Sequence, residues 1–195
     1  MPYKFLKYNH NLNYFAIYNA GFNCEEVEII KDLEELQTFK KAGVGSSNLP
    51  PTSDVRDSEV AWINHDNHSD WLFQRLSQIT GKVNYDHFLY EIEGLDTIQY
   101  TKYSKDQHYT WHWDLEFGWQ EYERKISFTV CLSDPDEYTG GEFELCHNGN
   151  FEDTVKLKPQ KGDIIYFASW MPHRVLPIVD GNRKSLVGWV MGKRQ

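Results

Sequence analysis

At 195 residues, with 40% apolar and 15% aromatic content, the chain is long enough to bury one substantial core and too apolar to remain disordered. A formal net charge of −9 argues against a nucleic-acid partner, because binding a phosphate backbone needs clustered Lys and Arg. The opening stretch MPYKFLKYNHNLNYFAIYNAGF has no long apolar run, so neither a signal peptide nor a membrane span is expected; three cysteines (Cys24, Cys131 and Cys146) without a C-x-x-C pair argue against a disulfide framework and a thiolate zinc site, and point to a reducing cytoplasm.

In chain order, NCEEVEIIKDLEELQTFKKAG predicts a first helix. Asn23 is its N-cap, Glu26 completes a variant of the capping box, Val27, Ile30, Leu33 and Leu36 recur at helical spacing, and Gly43 is the C-cap. SDWLFQRLSQIT predicts a second, from a Ser69 cap through Leu72, Leu76 and Ile79. The intervening GVGSSNLPPTSDVRDSE is too rich in Gly, Ser and Pro for either element, and reads as a connecting loop or as a lid over a site. His65 and His68 lie in polar sequence before the second helix and read as solvated or capping residues.

From Phe88 onward the pattern changes to strands: FLYEIE, TIQYTKY, YTWHWD, ISFTVCL, GEFELC, DTVKLK, DIIYFAS and RKSLVGWVM. About eight short, aromatic or β-branched runs broken by turn residues predict a sandwich, with a jelly roll leading. The expected fold class is mainly β (α+β): a double-stranded β-helix core over 88–192 with N-terminal helices, in a mainly helical part over 1–87, packed on one sheet. Residues 1–195 are read as a single domain.

The stretch HYTWHWD, residues 108–114, carries the chemistry. On a strand His112 and Asp114 project to one face and Trp113 to the other. Two ligands do not complete a metal site, and the candidate third is His173 in FASWMPHRVLPI. Two histidines and one carboxylate are the facial set of non-haem Fe(II) oxygenases, whereas structural zinc is closed by four protein ligands. Arg183 follows on the next strand, placed to pair bidentately with the distal carboxylate of a dicarboxylate, and Ser185 faces the same way. His108 would mimic half of a zinc pair on a helix, but the aromatic composition favours a strand, leaving it as a turn residue or a group near the substrate. Trp111, Trp113 and Trp170 read as packing residues, and His147 as a loop residue. No G-x-S-x-G is present, which argues against a serine hydrolase. A cupin-like jelly-roll metal protein without 2-oxoglutarate chemistry is the alternative, and a metal-free binding module is a third reading. Arg183 and Ser185 oppose the former, and the intact ligand set opposes the latter.

With VRDSEVAWI, IQYTKYSKDQHYTWHWD, FTVCLSDPDEYTGGEFEL, KPQKGDIIYF and MPHRVLPIVDGNRKSLVGW, the chain resembles the 2-oxoglutarate- and Fe(II)-dependent oxygenases, prolyl 4-hydroxylase-like branch, over most of its length. The resemblance implies that His112, Asp114 and His173 bind Fe(II), that Arg183, Ser185 and Tyr103 contact 2-oxoglutarate, and that Tyr109, Arg124 and Trp189 face a peptide or protein substrate. It implies hydroxylation of an unactivated C–H bond, such as one on proline, with O₂ consumed, succinate and CO₂ released, and ascorbate as a reductant. Asp114 separates the chain from related halogenases, which have a small residue there. Trp189 separates it from the alkylated-base demethylases, which carry a second arginine at that position. Collagen-type members usually have lysine in place of Arg183, and a tyrosine near 2-oxoglutarate in some members is Cys131 here.

Overall fold

The structure, a computed structural model, describes residues 14–43, 54–115 and 121–194. Its strands are β1 (Phe15–Tyr18), β2 (Lys40–Lys41), β3 (Arg56–Asp57), β4 (Glu59–Ile63), β5 (Gly94–Leu95), β6 (Ile98–Tyr103), β7 (His108–His112) and β8 (Tyr122–Cys131). They continue as β9 (Tyr138–Gly140), β10 (Phe143–Leu145), β11 (Val155–Leu157), β12 (Ile164–Ala168), β13 (His173–Val175), β14 (Ile178–Gly181) and β15 (Arg183–Lys193). Two α-helices, α1 (Cys24–Asp32) and α2 (Asp70–Val83), precede the main run of strands.

The strands form a jelly roll. The major sheet runs β1-β12-β8-β15-β6-β4-β2, with β5 also on β15, and the minor sheet runs β11-β10-β13-β7-β3. A ribbon of β9 and β14 makes a third, two-stranded sheet. Alternation along the major sheet decides its two faces. Ile126, Phe128 and Val130, then Ile164 and Tyr166, then Leu186 and Val190, join one apolar cluster. Val27 and Ile30 of α1 and Leu72, Leu76, Ile79 and Val83 of α2 complete it, so both helices pack on that face. The intervening residues Gln99, Thr101, Ser127, Thr129, Arg183 and Ser185 are buried and polar, and the pleat turns them to the other face. A second apolar cluster, which includes Tyr103, Phe143, Ile165, Phe167, Met171 and Val175, draws on strands of both sheets. The two sheets therefore enclose a space with a polar wall on the major-sheet side.

Several sequence expectations hold in detail. Asn23 accepts from the Glu26 backbone while the Glu26 side chain accepts from the Asn23 N–H, a complete capping box. Others are corrected. The first helix ends at Asp32, tightens to a 3₁₀ turn over Leu33–Leu36, and does not reach Gly43. Phe39 instead packs edge-on against Tyr100 at 5.5 Å, and Lys40–Lys41 pair with β4, so sheet pairing overrides the helical pattern. FLYEIE is not a strand: a π-turn spans Asn84–Phe88, Leu89 is left-handed at φ 56°, and the Asn84 amide both accepts from and donates to the Tyr90 backbone. That amide meets the groups a strand would offer a neighbour. The part expected to be mainly helical over 1–87 also supplies β1, β2, β3 and β4. FAIY and EVAWI are too short to signal themselves and are completed by pairing with β12 and β6. The predicted loop or lid falls largely at 44–53, outside the described residues.

Candidate active site

The site is built where β7 and β13 pair. Their register sets His173 opposite His112, which brings the imidazole centroids to 4.0 Å. Asp114 lies just beyond β7, where its N–H and that of Leu115 both donate to the Ser169 carbonyl at 3.0 Å. Its carboxylate lies 3.9 Å from His112 Nε2 and 3.5 Å from His173 Nε2, and one ligand atom from each of the three residues falls within 4.8 Å of the others. The sequence expectation that these residues converge is met.

Each ring is oriented from behind. The structure places His112 Nδ1 2.8 Å from the Thr110 carbonyl and His173 Nδ1 3.0 Å from that of Met171. Donation there puts the proton on Nδ1 and leaves the Nε2 lone pair facing Asp114. The His112 ring stacks on Tyr109 at 3.4 Å, and His173 contacts Phe167 and Phe143 at 4.5 and 5.5 Å. Burial pushes the His112 pKa down to about 3, with the neighbouring His173 adding to the effect. Burial also pushes the Asp114 carboxyl up, but His173 and His112 outweigh it and hold it below its ordinary range. Neutral imidazole and ionised carboxylate are the states a metal takes up. Asp114 Oδ2 is buried without a hydrogen-bond partner among the described residues, as expected of an oxygen that faces a cation. The donor set fits Fe(II).

The second half of the site is on β15, where Arg183 pairs in register with Tyr103 and Ser185 with Thr101 and Cys131. Arg183 is only 2% exposed, and its guanidinium donates to Ser185 Oγ at 3.1 Å and sits 5.8 Å from the Tyr103 ring centroid. Its Nε has no hydrogen-bond partner among the described residues. A buried guanidinium held by neutral groups is costly without an anion, so the residues present fit the distal carboxylate of a dicarboxylate. Arg183, Ser185, Tyr103 and the three ligands all line one cavity of about 630 Å³, a volume suited to a small ligand. Tyr109, Arg124 and Trp189 line the same cavity, with the Arg124 guanidinium 4.0 Å above the Trp189 ring.

Residues 98–191, which hold the three ligands and Arg183, match the family model of the 2OG-Fe(II) oxygenase superfamily. The match covers just under half of the chain, and over that stretch the chain is similar to the 2OG-Fe(II) oxygenase superfamily. Among relatives, a PKHD-type hydroxylase of Synechococcus sp. (strain CC9605) is 31% identical over 99 residues, which cover 51% of this chain and 43% of the relative. One from Maricaulis maris (strain MCS10) is 43% identical over 65 residues, 33% of this chain and 28% of its own. The chain thus spans less than half the length of these curated relatives. Among solved structures, a Trichoplax adhaerens prolyl hydroxylase in complex with a hypoxia inducible factor oxygen degradation domain peptide fragment superposes with a TM-score of 0.74. It is 21% identical, with 92% of this chain and 84% of that chain covered. A Pseudomonas putida prolyl-4-hydroxylase gives 0.70 at 20% identity, with 93% of each chain covered. At these identities the likeness is one of fold.

Some expectations for individual residues are revised. Trp113 is 59% exposed at the cavity wall rather than a packing residue, because it lies just past the end of β7 and outside both apolar clusters. Trp170 is also exposed, and Trp111 is half-buried against Phe151. His108 stands at the far end of β7, nearest the Asp106 and Asp54 carbonyls, and takes no part in the ligand cluster. His65 pairs with Asp70 on the surface, as a solvated residue would. Sequence reasoning missed Tyr138, whose buried ring on β9 lies beside Arg183 and Cys131. It also passed over Thr129, Phe143 and Phe167 in the cavity wall. The alternation in ISFTVC could have marked Thr129; nothing local marks Tyr138.

Proposed function

We propose that the chain is an Fe(II)- and 2-oxoglutarate-dependent dioxygenase that hydroxylates an unactivated C–H bond of a peptidyl residue, proline first among candidates. The observation that carries this reading is Arg183, a buried guanidinium whose Nε has no partner among the described residues, in the wall of the cavity that also holds the ligand cluster. A cupin-like metal protein would have no use for a carboxylate clamp there. When bound, Fe(II) with 2-oxoglutarate and O₂ supplies the oxidation of the C–H bond, with release of succinate and CO₂. His112 and His173 hold the metal through Nε2 and Asp114 through its carboxylate. Arg183 and Ser185 hold the distal carboxylate of the cosubstrate, with Tyr103 alongside. The apolar rings of Phe143 and Phe167 keep water from the inner end of the cavity. Tyr109, Arg124 and Trp189 face the substrate.

The reading extends to residues 1–195 working as one oxygenase domain in the cytoplasm, with ascorbate as a reductant and neither nucleic acid nor membrane as a partner. No helix among the described residues is long and apolar enough to cross a membrane. The decisive experiment is anaerobic titration of the protein with Fe(II) and 2-oxoglutarate. A visible metal-to-ligand charge-transfer band is expected, and its absence overturns the proposal. On admission of O₂, slow substrate-free succinate formation is expected in the wild type and none in Asp114→Ala.

A further inference from the structure

A second cavity, of about 550 Å³, adjoins the first and shares Gly43, Arg56, Trp62 and Gln99 with it. It runs from that junction across the face of β4 to β2, with Lys40 and Lys41 at its far end. Lys40 pairs in register with Val60 and so shares a face with Val60 and Trp62. Leu36, 68% exposed, and Trp62, 47% exposed, add apolar surface. Trp62 also lies 6.0 Å from Trp189, which connects the groove to the residues assigned to the substrate.

The charge of this groove is opposite to that of the molecule. In a chain of net charge −9, three cations and no Asp or Glu line it among the described residues. Arg56, at the junction, is half-buried and among the described residues donates to neutral groups, Ser58 Oγ at 3.0 Å and Gln99 Oε1 at 2.8 Å, with its guanidinium 4.6 Å over the Tyr109 ring. No carboxylate pairs with Arg56 or Lys40 among the described residues. Lys41 meets Asp57 at 3.5 Å, but with its side chain 72% exposed that pair is weak. Lysines on an edge strand also guard against sheet-to-sheet pairing. Arg56 is not on that edge, so that explanation does not cover it.

We infer that this groove receives the extended segment of a peptide substrate flanking the modified residue, and that this segment is acidic, with a carboxylate at Arg56 next to the modified residue and further acids toward Lys40 and Lys41. The inference rests on the peptide-hydroxylase reading above and names its substrate class. The backbone edge of β2 is paired on its β4 side only among the described residues, which suits an extended chain.

The test uses the full chain and fluorescein-labelled peptides that share a central proline and differ only in carrying glutamate, glutamine or lysine in the flanks. By fluorescence anisotropy the glutamate peptide should bind about tenfold tighter than the glutamine one, with the advantage shrinking as salt is raised. In the double variant Lys40→Glu/Lys41→Glu the order should invert in favour of the lysine peptide, a gain that misfolding does not produce. Equal binding of all three, a glutamate preference that survives the charge swap, or no binding of any peptide overturns the inference. So does displacement of the bound peptide by a single-stranded oligonucleotide but not by unlabelled glutamate peptide. The charge-transfer titration is run on the same preparation. A band with no acidic preference removes the groove alone, whereas acidic preference without a band removes the oxygenase reading alone.

Discussion

At the scale of single residues, the site depends on a few side chains whose burial leaves them incomplete. Arg183 is the clearest: a full charge, 2% exposed, satisfied in part by a serine hydroxyl. Two consequences follow in opposite directions. Arg183→Met should raise the 2-oxoglutarate dissociation constant by about ten- to a hundredfold, the usual scale for a charge-assisted contact, while metal affinity is largely kept. Because an apolar isostere removes a buried charge, the same variant should melt no lower than the wild type without ligand. Anaerobic titration and thermal melts check these, and unchanged cosubstrate affinity would refute the assigned role. His112, Asp114, His173 and Arg183 were readable in the sequence because their order and flanks are specific. Tyr138 was not, because the partner that gives its buried ring meaning lies on a strand far along the chain.

At the scale of elements, Glu34 ties the first helical segment to the sheet. It sits in the 3₁₀ turn after α1, accepts from Tyr100 at 2.9 Å and Lys184 at 2.8 Å, and is ion-paired with Lys102, so it bridges β6 and β15. Burial alone would raise its pKa, but these three partners hold it down to about 2, against an ordinary 4.5. A carboxyl whose folded pKa lies below its unfolded value stabilises the fold when ionised. That stabilisation is complete above about pH 4.5 and is lost as pH falls toward 2. Wild-type melting temperature should therefore fall more steeply across that window than in Glu34→Gln; parallel curves would show that the bridge contributes nothing. A second element-scale prediction concerns Gly188 on β15, opposite Phe128. A Cβ there would stand 2.3 Å from the Phe128 ring, which is fully buried, so Gly188→Ala should cost about 1–3 kcal/mol in denaturant unfolding. The strand run was legible from period-two alternation, while α1 was overextended. Its helical pattern continues into residues that the sheet claims for β2 and for the Phe39 contact with Tyr100.

For the whole molecule, the site joins two sheets: His112 and His173 come from the minor sheet and Arg183 from the major one. Metal bound to the folded state alone should stabilise the assembly. At a hundred times its dissociation constant Mn(II), a redox-quiet substitute, should contribute about 2.7 kcal/mol. For a chain of this size that corresponds to a rise in melting temperature of about 5–10 °C. The rise should be abolished by chelator and absent in His173→Ala; an equal rise in that variant would place the metal elsewhere.

The sequence by itself determined the strand-rich class and singled out the three residues that converge and the arginine that lines the same cavity, because residue type, order and two-residue alternation are local properties. Only the tertiary structure decided which strands complete each sheet, where the first helix stops and which walls the cavity has. Four of those strands lie in the segment that read as mainly helical, and they exist through pairing with β12, β6 and β7, whose hydrogen bonds no local pattern announces. The charge of the groove beside the site is likewise a tertiary property. Lys40 and Lys41 are adjacent in the chain but far from Arg56, and the three line one groove only when β2, β3 and β4 are set in their sheets.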